Sequence, residues 1–209
     1  MNLQSGSITG VLLAGGCSRR MGHDKRALRL GDVSMLEHVL TGLRELCPDL
    51  LVIANDPEYF SYLNVRVFHD IYPGSALGGL YTGLYYSATE NIFVSACDMP
   101  FFNTEAARFI MRAAQGFDAA VVKATSGYEP LFACYSKRCL EPMRRNLERG
   151  YYRIFPLFKY LNVREISLTE LNHIDSIETA FININKPQDL AMLKKILSDK
   201  NYCGHNGLV

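Results

Sequence analysis

A surplus of either charge is missing from this chain, because 22 Lys and Arg residues stand against 21 Asp and Glu. Without a global field to draw the protein onto nucleic acid or an anionic bilayer, any anion site must be built locally, and neither kind of partner is expected. Long apolar runs are missing too. No stretch approaches the length that spans a bilayer, and residues 1–9 lack the basic start and long apolar segment of a secretory signal, so the expectation is a cytoplasmic chain with no membrane partner. Closely spaced metal ligands are a third absence. The six cysteines (Cys17, Cys47, Cys97, Cys134, Cys139, Cys203) contain no C-x-x-C pair, which argues against a zinc knuckle or a disulfide framework and leaves them as small core residues or ordinary thiols. The five histidines make no H-x-E or H-E-x-x-H pattern and receive no catalytic role.

What is present is a chain of 209 residues, 48% hydrophobic, enough to fill a substantial core. Short β-branched runs at Ile8 to Ala14, Leu50 to Ala54, Val65 to His69, Asn91 to Ala96, Ala119 to Ala124 and Leu131 to Tyr135 read as strands. Between them, Met35, Leu36, Val39, Leu40, Leu43 and Leu46 share one helical face behind a Ser34/Glu37 capping box. Thr104 to Ala114 reads as a helix capped by Asn103, with Gly116 just past its end. Arg138 to Arg149 reads as another, with Pro142 in its first turns, and Arg153 to Tyr160 as a further helical piece. A closing strand is expected at Ala180 to Ile184, followed by a helix starting at Pro187. Alternation of this kind implies an open, mainly parallel α/β sheet covered on both faces, a Rossmann-like three-layer sandwich that binds ligands at the carboxyl ends of its strands. No linker divides the sequence, so residues 1–200 are expected to form one domain and 201–209 a loose tail.

Directly after the first strand, the segment from Leu12 to Lys25 concentrates three glycines, two arginines and one lysine. Glycines let the backbone approach an anion and point successive N–H groups at it, while Arg20 and Lys25 can neutralise charge along a triphosphate. The spacing fits neither G-x-x-x-x-G-K-[ST] nor G-x-G-x-x-G. A basic glycine-rich turn could also simply join a strand to a helix.

The full pattern resembles the signature of the molybdenum cofactor guanylyltransferases: Leu13-Ala14-Gly15-Gly16, then Arg20-Met21-Gly22, then Asp24-Lys25. Further elements occur in the family's order: Asn55, Asp70 before Tyr72-Pro73-Gly74, the glycine-rich Ala76 to Gly83, Cys97-Asp98-Met99-Pro100, Glu129-Pro130-Leu131, and Asn183-Ile184-Asn185 before Pro187. The chain departs from the family with a single residue, His23, between Gly22 and Asp24. It departs again with Gly74-Ser75-Ala76-Leu77-Gly78-Gly79 where a Gly-Pro-Leu-Ala-Gly-like stretch is usual, which leaves base choice open.

The resemblance implies the nucleotide-diphospho-sugar transferase type of fold and transfer of GMP from GTP to molybdenum-bound molybdopterin, with release of pyrophosphate. It implies a nucleotide site at Leu13, Ala14, Gly15, Gly16, Lys25, Asn55, Asp70 and Asp98, and a catalytic group of Lys25, Arg20 and Asp98. Asp98 would be the carboxylate for Mg²⁺, and Asn183 and Asn185 would contact the pterin. The residues themselves permit quieter roles: turn formation for Asp70, for Asn55 and for Asp98 ahead of Pro100, and capping of the last helix for Asn185. Asp70 suits guanine in particular, since a carboxylate accepts hydrogen bonds from the base's N1–H and exocyclic amine. Rival readings are a cytidylyltransferase or sugar-phosphate nucleotidyltransferase on the same scaffold, or a non-catalytic accessory that holds nucleotide or cofactor. Transient contact with molybdenum-insertion proteins or apo-molybdoenzymes would follow from the cofactor reading.

Overall fold

The computed structural model describes residues 8–15, 29–30, 33–125, 127–184 and 189. Its frame is a seven-stranded sheet ordered β5-β4-β1-β6-β8-β7-β9, formed by β1 (Thr9–Leu13), β4 (Asp49–Ile53), β5 (Arg66–Phe68), β6 (Asn91–Ala96), β7 (Ala119–Ala124), β8 (Gly127–Ser136) and β9 (Val163–Ser167). Two short strands, β2 (Arg29–Leu30) and β3 (Val33–Ser34), pair antiparallel as a separate ribbon. In the large sheet β5, β4, β1 and β6 run parallel, β8 is antiparallel to both of its neighbours, and β9 is parallel to β7. The sheet is therefore mixed but mostly parallel, as the βα alternation requires.

Helices cover both faces. On one, α1 (Met35–Leu46), α3 (Thr104–Ala113), α5 (Leu168–Leu171) and α6 (Ile177–Ala180) supply Leu36, Val39, Leu40, Leu43, Ala106, Ala107, Ile110, Leu171 and Ala180 to a core shared with Leu12, Val52, Phe93, Val122 and Phe132. On the other, α2 (Ala76–Tyr86) and α4 (Leu140–Glu148) bury Leu77, Leu80, Leu84, Met143 and Leu147 against Val11, Leu51, Ile53, Val94, Val121 and Tyr135. Burial of each such aliphatic side chain is worth roughly 1.5–3 kcal/mol, so these two seams hold the three layers together. The alternation of Val11 and Leu12 between the cores is the period-two signature of a strand buried on both sides.

The capping box at α1 is formed as expected: Ser34 Oγ accepts from the Glu37 N–H at 3.2 Å, and the Ser34 N–H donates to Glu37 Oε2 at 2.9 Å. Asn103 caps α3 through Oδ1, which accepts from the Ala106 N–H at 2.9 Å. Gly116, at φ +82°, takes the left-handed conformation expected after that helix. Four cysteines, Cys47, Cys97, Cys134 and Cys139, are buried free thiols, as core residues should be. Desolvation raises Cys47 and Cys139 to about 12, so neither is a nucleophile near neutral pH.

Four segments differ from the sequence reading. The closing strand expected at Ala180 to Ile184 is absent: α6 ends at Ala180, and the following residues turn and run past the sheet without a ladder. Its apolar residues serve as anchors, Phe181 meeting Phe132 edge-on at 5.8 Å and Ile184 lying fully buried. Strand β9 replaces it at the sheet's edge, where Arg164 and Glu165 interrupt the apolar run and blunt the edge. Finally, the piece expected from Arg138 is a 3₁₀ turn over Lys137–Cys139 that passes into α4, and Phe155–Tyr160 is also 3₁₀.

Candidate active site

The carboxyl ends of four neighbouring strands are stitched into one rim. Beyond the ladders, Ala14 N donates to Ile53 O at 2.9 Å, Ala54 N to Phe68 O at 3.0 Å, and Cys97 N to Leu13 O at 3.1 Å. The residues that follow these strands, Ala14-Gly15, Asn55, Asp70 and Asp98, consequently stand side by side at the place where such sheets bind ligands. The glycine-rich segment leaves from this rim at Gly15; Gly16, Arg20 and Lys25 lie outside the described residues, as does Asn185.

Asn55 is exposed, and its amide Nδ2 donates to Gly15 O at 3.2 Å, so one half of the carboxamide braces the start of the glycine loop. Its Oδ1 accepts no hydrogen bond among the described residues. Leu13 lies beneath, and Gly79 at the start of α2 faces it across a space where an added Cβ would come within 3.4 Å of Leu13 Cδ2. Gly78 is needed for a sharper reason: a Cβ there would sit 1.9 Å from Tyr72 O, so only glycine lets α2 press against the loop that carries Asp70.

Asp70 is half-buried and held firmly. Its Oδ1 accepts from the Tyr72 N–H at 3.0 Å and from Thr82 Oγ1–H at 2.9 Å, while Thr82 itself is fully buried and accepts from the Ile71 N–H at 2.9 Å. Oδ2 takes no hydrogen bond among the described residues and lies 3.8 Å from where a Gly79 Cβ would be. Burial outweighs these two bonds and raises the carboxyl above its ordinary range, a cost that a ligand with paired N–H donors would relieve. The turn role read from the sequence is thus real, and it is carried by one oxygen only. Thr82 was not singled out in the sequence, where it appears merely as a small residue before Gly83.

Asp98 follows β6 and is half-buried, with its own carbonyl accepting from the Ile184 N–H at 2.9 Å. That bond brings the segment containing Asn183 to the same rim. Asn183 does not sit on a strand, contrary to expectation, so strand alternation is not what aims it; its Nδ2 donates to Phe181 O at 3.3 Å. Among the described residues no cluster of three or more His, Cys, Asp or Glu side chains could enclose a metal. A single rim carboxylate such as Asp98 could hold a cation only as one ligand of several, the rest of the shell coming from phosphate oxygens and water.

Among the described residues, no helix is long and apolar enough to cross a membrane. A family model described as the MobA-like NTP transferase domain matches residues 10–162. A probable molybdenum cofactor guanylyltransferase of Pelotomaculum thermopropionicum is 34% identical over 202 residues, 96% of this chain and 98% of that protein. The molybdenum cofactor guanylyltransferase of Desulfosudis oleivorans is also 34% identical, over 88% of this chain and 93% of its own. Among solved structures, molybdopterin-guanine dinucleotide biosynthesis protein A from Archaeoglobus fulgidus superposes with a TM-score of 0.81 at 25% identity, covering 91% of this chain and 99% of that one. Matched over most of its length by these proteins, and carrying the strand-end rim that such chemistry uses, the chain belongs to the MobA-like NTP transferase family and is a nucleotidyltransferase.

Proposed function

We propose that this protein transfers GMP from GTP to molybdenum-bound molybdopterin, forming the guanine dinucleotide form of the molybdenum cofactor. The observation that carries this reading is the likeness, over most of both chains, to proteins named as guanylyltransferases of that cofactor. The geometry agrees with it: Asp70 offers one uncommitted carboxylate oxygen beside the open face of Gly79, a fit for the N1–H and amine edge of guanine.

In the reaction, an oxygen of the acceptor's terminal phosphate attacks the α-phosphorus, the bond from that phosphorus to the bridging oxygen breaks, and pyrophosphate departs with the electron pair. Phosphate monoesters are largely ionised near neutral pH, so alignment and charge neutralisation matter more than a protein base or nucleophile. The amides of the glycine loop, with Arg20 and Lys25, would hold the triphosphate, and Asp98 is the residue that would hold Mg²⁺. Bound there, Mg²⁺ would supply charge neutralisation on the phosphate oxygens. Asn183 and Asn185 belong to the pterin side of the same reading. So do residues 1–200 as one catalytic domain, a cytoplasmic location, and delivery of product to molybdenum-insertion proteins or apo-molybdoenzymes.

The test is pyrophosphate release by purified protein supplied with molybdenum-bound molybdopterin, Mg²⁺ and each of GTP, CTP, ATP and UTP in turn. Release with GTP alone is expected. Preferential turnover of CTP would make the chain a cytidylyltransferase, and nucleotide binding without release would make it an accessory.

A further inference from the structure

The acceptor side of the rim contains a carboxylate that the reading above leaves without a role. Strand β8 pairs regularly with β7 up to Ala133 opposite Val121, and then the register jumps so that Glu129 stands opposite Val122. Pro130, which has no N–H to give a ladder, lies inside this irregularity, and the buried Tyr135 hydroxyl fastens it by donating to Pro130 O at 2.8 Å.

The pairing fixes which way Glu129 faces. Cross-strand partners share a face, and Val122 belongs to the core that Phe132, Ala96 and Phe181 line. The preceding residue, Tyr128, turns to the opposite face, where it stacks on Phe155 at 5.2 Å. Glu129 therefore points to the face over which Phe181 to Ile184 pass, and Asn183 belongs to that segment. The other neighbour gives the end of the sheet: the β6–β8 ladder closes at Ser95 opposite Phe132, and Glu129, three residues nearer the start of β8, lies beyond that closing pair, at the end of β6 from which Asp98 departs.

Glu129 is half-buried, yet its carboxylate has no hydrogen bond or ion pair among the described residues. Lys123, the nearest cation along the hairpin, is engaged on the opposite face with Glu165 at 3.0 Å. A carboxylate placed partly out of water with nothing to accept from is a cost to the fold unless a ligand brings donors. Burial accordingly pushes its pKa up to about 7.

We infer that Glu129 is a specificity residue for the acceptor, accepting hydrogen bonds from the N3–H and 2-amino group of the pterin. The chemistry is a counterpart of the one assigned to Asp70. Guanine and pterin present the same pair of adjacent donors, and on each side of Asp98 the rim holds carboxylate oxygen that accepts no hydrogen bond among the described residues: Asp70 Oδ2 beyond β4, and Glu129 on β8. The inference rests on the guanylyltransferase reading, and its test separates the two.

Glu129→Gln keeps the shape while replacing the acceptor pair by one acceptor and one donor. In steady-state guanylyl transfer, KM for molybdopterin should rise roughly 10- to 100-fold, the range of a charge-assisted pair, with KM for GTP within about twofold. Glu129→Asp should recover part of the loss. Ring probes read the same contact directly: with GTP saturating, the wild type should bind pterin in preference to lumazine, whose C2 carbonyl faces the carboxylate with an acceptor, and Glu129→Gln should erase that preference. An unchanged acceptor KM, an equal rise in both KM values, or an altered metal requirement alone would overturn the inference. Failure of the wild type to transfer GMP to molybdopterin would instead overturn the function proposed above.

Discussion

The two halves of the rim are built by different means. On the nucleotide half, β5, β4, β1 and β6 are parallel neighbours whose ends carry Asp70, Asn55, Gly15 and Asp98. There, position follows from topology, and the Asn55 and Asp70 side chains are steadied by backbone groups and by the buried Thr82 hydroxyl. On the acceptor half, β8 runs against its neighbours, so its amino-terminal end reaches the rim, and an irregular register presents Glu129. On the function proposed above, the parallel side would serve as the general scaffold for a triphosphate, whereas the acceptor side depends on local departures from regular structure, where side chains can be varied without disturbing the sheet.

If the halves divide labour in this way, substitutions should sort by side. The largest effect is expected for Asp98→Ala, between the two: metal-dependent turnover should be abolished with the circular dichroism spectrum unchanged, and retained turnover with normal metal dependence would remove Asp98 from the site. Lys25→Ala should cost roughly 2–4 kcal/mol of transition-state stabilisation, measured as kcat/KM, because a phosphate contact is lost on the nucleotide side. Unchanged turnover would exclude that role. Asp70→Asn should weaken GTP binding by about 1.5–3 kcal/mol and narrow the margin over CTP in protection against thermal unfolding, while KM for the acceptor stays near its starting value. A parallel loss for both substrates would erase the division.

The smallest effect concerns stability and has the opposite sign. The Glu129 carboxyl is raised by burial from 4.5 to about 7, so the folded state holds its proton more tightly than the unfolded chain. The stability this contributes is fully present below pH 4.5 and is lost as pH rises through about 7. Glu129→Gln should therefore be the more stable protein at pH 8, by about 1 kcal/mol once solvent screening is discounted, with the gap closing towards pH 4.5 in urea titrations. A gap independent of pH would show that the carboxylate carries no such burden.

Much of the nucleotide half was legible in the sequence because its determinants are local. Ile8 to Ala14 and Asn91 to Ala96 are short apolar runs that suit interior strands, and the Ser34/Glu37 pair announces the start of α1. The acceptor half was less legible because its determinants are long-range. Ala180 to Ile184 has the composition of a strand, yet Phe181 packs against the core that β6, β8 and α3 form, and Ile184 is fully buried without joining a ladder. Strand β9 was passed over because an edge position tolerates Arg164 and Glu165 and so dilutes the apolar signal. Glu129 was visible only as part of a motif, since nothing in Glu129-Pro130-Leu131 by itself tells of a register jump against a strand several residues earlier. Thr82 was hidden for a similar reason: its value lies in a partner, Asp70, that comes twelve residues before it and touches it only after folding.

The hydrogen bond from the Ile184 amide to the Asp98 carbonyl ties together two points far apart along the chain. During synthesis from the amino terminus, the strands that make the nucleotide side are all available once β6 has emerged, but the clasp on Asp98 arrives only after most of the remaining chain has been made. The strand ends that carry Gly15, Asn55 and Asp70 are thus all made before the segment that carries Asn183.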